Sequence, residues 1–453
     1  MTNTEQFDLI VIGGGTGANG LARACRAAGW SVASIEALPY GGTCALRGCD
    51  PKKMLVGVTE ALDWSGRLVG KGLGSPPTID WAQMMAFKRT FTDAMPDKVE
   101  GGLSKAGVAT THGTAEFISP EEVRVGDRVL RAKHFHLATG ARPRTLDIPG
   151  EELLTTSTQF LELERLPERI AFVGGGFISF EFAHIAKRAG AAEVTILHQG
   201  KRALNGFDPD LVELQVARTR ELGIDVRLEA CVCGVAEHEG ALRVDVTTAE
   251  GPASVMCDAV IHGAGRVPNV DALGLDRANV EYGPCGVKVN EYMRSVSNPN
   301  VFAAGDCADT PAPNLTPVSA YQARIASKNL LAGSDTRLVE YPPIPSVVFT
   351  LPPVGRVGLL ESEARAQSLD FDVHFAKTSH WYSSVRVAEP FTAYKTLVDK
   401  GTGKILGAHV IGPGAEEQLN LFTLAMKAGV TANQLKATMF AYPSYASDVG
   451  YMV

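Results

Sequence analysis

Two stretches of this chain spell one and the same unit, and few folds accommodate that unit twice. Residues 7–15 read FDLIVIGGG, a short apolar run that ends in glycines. Residues 16–29, TGANGLARACRAAG, have the composition of an alanine-rich helix with a glycine past its end. Residues 31–36, SVASIE, read as a second buried strand closing on an acid. The turn between the first strand and the helix is Gly13-x-Gly15-x-x-Ala18. Gly13 allows a tight turn, Gly15 lets backbone approach a pyrophosphate, and Ala18 lets helix and strand pack closely. Glu36 lies where a carboxylate accepts the hydroxyls of an adenosine ribose. The unit returns 161 residues later, counted from Gly13 to Gly174, as RIAFVGGG, FISFEFAHIAKRAG and EVTILH. Its turn is Gly174-x-Gly176-x-x-Ser179. One glycine turn is a weak signal, but two in the same strand–turn–helix frame point to two dinucleotide sites.

The two units differ where the ribose is read. The position matching Glu36 is His198, followed by Gln199, Lys201 and Arg202. An acid there repels a 2′-phosphate; its absence beside Arg202 and Lys201 favours NADPH over NADH. Composition fits a sizeable globular protein. The 453 residues suggest about three domains at roughly 150 residues each. A formal net charge of -7 argues against nucleic-acid binding, which rests on neutralising phosphates. The N-terminus lacks the cationic run of a secretory signal, and no apolar stretch of about 20 residues suits a bilayer. Neither a membrane nor a nucleic acid is an expected partner, and a cytoplasmic location is the default.

The eight cysteines are scattered, unlike a secreted disulfide framework. For most of them a small buried hydrophobe is the simplest reading. Cys231-x-Cys233, too close for a usual zinc pair, reads as strand packing. Cys44 and Cys49 differ, because residues 41–53 read GGTCALRGCDPKK. In a regular helix two residues five apart lie roughly 8–9 Å apart, too far to bridge. The segment must bend if they pair, which Gly48 eases, and a following cation, Lys52 or Lys53, would help hold a thiolate.

This segment resembles the redox-disulfide motif of the class I flavoprotein disulfide reductases, the glutathione reductase and dihydrolipoamide dehydrogenase family. The resemblance runs along essentially the whole chain. Ala138-Thr139-Gly140 with Ile148-Pro149-Gly150 is similar to the hinge leaving the FAD domain, and Gly265-Arg266-Val267-Pro268-Asn269 to the return from the NADPH domain. Ala304-Gly305-Asp306 resembles the second FAD motif, and Leu315-Thr316-Pro317-Val318 the stretch beneath the flavin. Residues 344–350, IPSVVFT, open something similar to the dimerisation domain. The implied fold is α/β: two Rossmann-like dinucleotide-binding domains, for FAD and NADPH, plus an α+β C-terminal dimerisation domain. The implied division is 1–150 for FAD and the redox disulfide, 151–268 for NADPH, 269–338 completing the FAD domain, and 339–453 for the interface of a homodimer.

The resemblance also implies roles. Cys49 would be the charge-transfer thiolate beside the flavin, and Cys44 the interchange thiol that attacks the substrate. Lys52 and Glu181 match a lysine–glutamate pair near flavin N5, and Phe177 stands where relatives often carry a tyrosine that shields the nicotinamide pocket. Gly13, Gly15, Ala18, Glu36, Thr43, Thr139, Gly140, Gly265, Arg266, Asp306 and Thr316 would line the FAD side. Gly174, Gly176, Ser179, His198 and Arg202 would line the NADPH side. Arg23 and Arg324 match arginines that hold substrate carboxylates. No resident metal is implied.

One motif departs from the pattern. Disulfide-reducing relatives end in HPTxxE, whose histidine serves the interchange thiol and whose glutamate orients it. Here Tyr442 stands at the histidine position and Ser447 at that of the glutamate. A phenol with a pKa of about 10 is a poorer proton shuttle at neutral pH than an imidazole of about 6.5. The leading expectation is reduction of a low-molecular-weight disulfide, with Tyr442, Asp448 or His380 standing in. A second is reduction of a soft metal ion, because mercuric reductases also carry tyrosine at this position. Against it, the chain has neither their C-terminal vicinal cysteines nor an N-terminal CxxC metal-binding domain. A third is a flavin-binding redox sensor or low-turnover subunit.

Overall fold

The computed structural model describes residues 4–453, and the chain divides into two units by its own contacts. The first gathers residues up to Lys52 with Ala86–Arg144 and Gly265–Tyr341; the second gathers Lys53–Met85, Thr145–Ala264 and Pro342–Val453.

In the first unit the strand Glu5–Ile12 is central because its last four residues, all apolar, are buried on both faces. It pairs in parallel with Val32–Glu36 on one side and Arg128–Leu137 on the other. The register sets Leu9 against Val32 and Ile12 against Ile35, so both strands end at one edge of the sheet. Ala109–His112 extends the sheet beyond Val32–Glu36, and Val301–Ala303 adds a further parallel strand beside Arg128–Leu137. Ala115–Ser119 and Glu122–Val125 complete it as an antiparallel meander. The helices Thr16–Ala27 and Thr316–Ala332 contribute Leu21, Ala22, Ala326 and Leu330 to the same core.

The second unit repeats the parallel arrangement. Arg169–Val173 lies between Glu193–Leu197 and Ala259–His262, with Ile224–Arg227 and Thr155–Thr156 at the edges. An antiparallel sheet of Cys231–His238, Ala241–Thr248 and Gly251–Cys257 follows. Lys53–Met85 lies inside the span 1–150, yet it supplies this unit's core with Leu55, Val56, Met84 and Met85 beside Phe160, Phe172 and Phe180. Trp81 anchors there too, its indole N–H donating to the Leu163 carbonyl at 2.9 Å. From residue 346 the chain forms a five-stranded antiparallel sheet covered by the helix Ala415–Ala428, the α+β element expected at the C-terminus. Two Rossmann-like parallel sheets and a C-terminal α+β segment are therefore present, as the repeated glycine turns imply.

Candidate active site

The first glycine turn is held by backbone that leaves no room for side chains. Gly13 has φ +120°, and a Cβ there would lie 2.2 Å from the Ala138 carbonyl oxygen. Gly42 has φ +69°, and its Cβ would lie 2.5 Å from the Gly15 Cα. The loop before Cys44 is thus laid directly on the turn after the first strand. Glu36, at the end of Val32–Glu36, accepts the Gly14 N–H at 2.6 Å and the Leu38 N–H at 3.1 Å. Gly15 precedes the helix Thr16–Ala27, whose first N–H groups receive no side-chain cap, as at helix starts that bind anions. Ala18 is buried beneath them. Asp306 follows the strand Val301–Ala303; burial raises the pKa of its carboxyl, while the Arg266 guanidinium acts the other way. Arg266 itself donates to the Ala141 carbonyl, and the Gly140 carbonyl accepts the Asn269 N–H at 2.9 Å. The residues expected to line the FAD side, including Thr43, Thr139, Gly265 and Thr316, thus all belong to this unit. A cradle that side chains would fill, an uncapped helix start and an acid at the end of the second strand fit a dinucleotide.

The same unit holds the cysteine pair. Helix Gly42–Arg47 ends at Gly48, and a second helix begins at Cys49 and runs to Arg67. That break supplies the bend the spacing requires. Cys44 and Cys49 stand as free thiols hydrogen-bonded to each other. Cys49 Sγ also lies 3.5 Å from Thr316 Oγ1, at the start of the helix Thr316–Ala332. The hydrogen bond from Cys44 brings Cys49 down to about 6, with Thr316 and the charge of Lys52 assisting against burial. Its place at the N-terminus of a 19-residue helix works in the same direction. Cys44 moves far upward, because its proton is held by Cys49 and burial opposes its charge. In the dithiol state this arrangement favours one thiolate and one thiol at neutral pH.

Asp50 was not singled out by motif reading. It sits directly after Cys49, its pKa is raised by burial, and its charge opposes ionisation of both thiols. The signal for it was present in the sequence, as a carboxylate inside the cysteine motif.

In the second unit the glycine turn is tied differently. The Gly175 N–H donates to His198 Nδ1 at 3.1 Å, and His198 Nε2–H donates to the Arg202 carbonyl at 3.0 Å. His198 therefore takes the place that Glu36 has in the first unit, with both ring nitrogens engaged. Lys201 and Arg202, which follow it, are both exposed. Gly174 and Gly176 occupy the turn, and Ser179 is buried against Gly263. Glu181, 3% exposed on the helix Phe177–Arg188, accepts the Phe349 N–H at 2.8 Å. Phe177, on the same helix, is exposed. Lys52, its expected counterpart, is buried in the first unit.

The C-terminal motif is open. Tyr442 is 79% exposed. Ser447 is engaged with Ser444 in a reciprocal cap of the turn Tyr445–Asp448, so it cannot orient a phenol as a glutamate orients histidine. Asp448 is held by the Ser383 hydroxyl, and burial raises its pKa. His380 is exposed, as are Arg23 and Arg324, which lie on the helices Thr16–Ala27 and Thr316–Ala332. Cys231 and Cys233 are also exposed, which overturns their reading as packed strand residues. No helix among the described residues is long and apolar enough to cross a membrane.

Comparison with known proteins agrees with this geometry. Residues 7–323 match the family described as pyridine nucleotide-disulphide oxidoreductase, and residues 344–453 match its dimerisation domain. A glutathione reductase of Burkholderia cepacia is 33% identical over 98% of this chain and 97% of its own. A mercuric reductase of Lysinibacillus sphaericus is 30% identical over 99% of this chain and 82% of its own. Among solved structures, the HOCl-induced flavoprotein disulfide reductase RclA from Escherichia coli is similar, with a TM-score of 0.88 and 26% identity. That likeness covers 98% of this chain and 99% of that one.

Proposed function

The chain belongs to the pyridine nucleotide-disulphide oxidoreductase family, and from that premise we infer that Cys44 and Cys49 pass electrons to a low-molecular-weight disulfide. It is an FAD- and NADPH-dependent oxidoreductase. Gly13, Gly15, Glu36, Thr43, Thr139 and Asp306 would hold FAD, and Gly174, Gly176, Ser179, Lys201 and Arg202 would hold NADPH. Bound, these cofactors supply the hydride and electron-transfer chemistry. We assign residues 1–150 and 269–338 to the FAD fold, 151–268 to the NADPH fold and 339–453 to the interface. Lys52 and Glu181 are assigned as the pair that tunes the flavin. A dimerisation domain is present. A homodimer in the cytoplasm completes the proposal, in keeping with the exposed Leu424, Met439 and Tyr451 in residues 344–453.

The observation that carries the reading is the opposed behaviour of the two thiols. Cys44 Sγ attacks one sulfur of the substrate as its proton passes by way of Cys49 to the departing sulfur, giving a mixed disulfide and releasing the first thiol product. Cys49, already a thiolate, then displaces the second sulfur by attacking Cys44 Sγ. The Cys44–Cys49 disulfide forms, two electrons leave, and the one proton held between the thiols goes to the products. Tyr442 is the proton-bearing group assigned to this exchange. Exposure of Tyr442 without an orienting acid favours a second reading, reduction of a soft metal–thiolate complex, which needs little proton transfer. Steady-state NADPH oxidation with a panel of acceptors decides between them. Turnover with glutathione disulfide or a similar compound supports the first, and turnover only with Hg(II) or Cu(II) complexes supports the second. No turnover with any disulfide refutes the leading reading.

A further inference from the structure

Cys231 and Cys233 stand apart from the redox pair, on the strand Cys231–His238 of the antiparallel sheet in the second unit. Cys231 is paired across the ladder with Thr247, so both side chains lie on one face. The register then slips between Val232 and Gly234, leaving Cys233 as the extra residue of a bulge. The Thr247 hydroxyl donates to Cys233 Sγ at 3.8 Å, which puts Cys233 on that same face. Val232 between them turns the other way and packs on the core. Both thiols are exposed, and Cys231 Sγ lies 4.0 Å from Gln199 Oε1.

We propose that Cys231 and Cys233 form a second thiolate site, which binds one two-coordinate soft metal ion such as Cu(I). Alternate strand residues are about 6.6 Å apart along the chain. Two metal–thiolate bonds of about 2.3 Å end to end span about 4.6 Å, which rotation about two Cα–Cβ bonds can reach from that spacing. A disulfide requires the sulfurs at about 2.0 Å and is the tighter demand. No group of three or more His, Cys, Asp or Glu side chains among the described residues is placed to hold a metal. Zinc, which takes four ligands in a structural site, is therefore not the ion; soft thiolates select Cu(I). Binding releases both thiol protons: Cu(I) and two Cys–SH give a bis-thiolate with one negative charge and two protons in solution.

The test is anaerobic titration of full-length, FAD-loaded protein with Cu(I) buffered by bicinchoninate. The parent is the C44S/C49S variant, so that the redox pair takes no metal. It should bind one equivalent, and adding C231S and C233S together should abolish that equivalent with FAD content unchanged. Each single substitution, C231S or C233S, should weaken the competition by tenfold or more. Retention of the equivalent in the fourfold variant would overturn the proposal, as would single variants that compete as well as the parent.

Discussion

The low pKa of Cys49 is set first by the thiol beside it, so removing that thiol tests the electrostatics of the pair. In the dithiol state Cys49 stands at about 6, against an ordinary value of 9.0. At pH 7 those two values correspond to roughly 90% and about 1% thiolate. Cys44→Ala removes the leading cause and leaves Thr316, Lys52 and the helix start in place. The midpoint should then rise by roughly one to two units, since the lost donor is the largest of the lowering causes. With a rise of about 1.5 units, the thiolate fraction at pH 6.5 falls about eightfold. Cys44→Ser keeps a donor and should fall between wild type and alanine. The assay is the pH dependence of the long-wavelength thiolate-to-flavin absorbance, checked by the alkylation rate of the peptide carrying residue 49. A midpoint in Cys44→Ala at or below that of wild type would refute the reasoning.

Asp50→Asn removes a negative charge that acts on both thiols, so the alkylation midpoints of Cys44 and Cys49 should move down together, by up to about one unit. A midpoint that stays put or rises would show that the carboxyl is protonated or too distant. Tyr442→His supplies the acid–base group that the exposed phenol lacks, and disulfide turnover should rise by 10-fold or more at neutral pH. Unchanged kcat would place the limit elsewhere. Replacing Lys201 and Arg202 together by glutamate should raise the KM for NADPH at least tenfold while barely altering that for NADH; equal effects on both would remove these cations from 2′-phosphate recognition.

What the sequence made legible was local in the chain. The two glycine turns, the strands beside them and the Cys44–Cys49 motif are spelled within short windows, and the structure builds each where the residues stand. The bend at Gly48 was readable for the same reason. The role of His198 was not, because it depends on backbone of the turn at Gly175 returning to meet the ring. Alternation put Cys231 and Cys233 on one face of a strand, but which face met solvent depended on a sheet packed elsewhere. Ser447 is named by its place in the C-terminal motif, yet its partner Ser444 defines what it does. Leu55 and Met84 are apolar residues with helical periodicity, and nothing local says that they share a core with Phe160 and Phe172.

Anaerobic titration of the FAD-loaded protein with NADPH, with alkylation of both cysteines followed in parallel, tests the central claim most directly. The account predicts a long-wavelength thiolate-to-flavin band at two-electron reduction of the wild type, with Cys44 newly open to alkylation; the band is lost in Cys49→Ala, and in Cys44→Ala it is present at alkaline pH before NADPH is added, while the flavin is still oxidised. A flavin that is reduced by NADPH with no such band and no newly exposed thiol would contradict it.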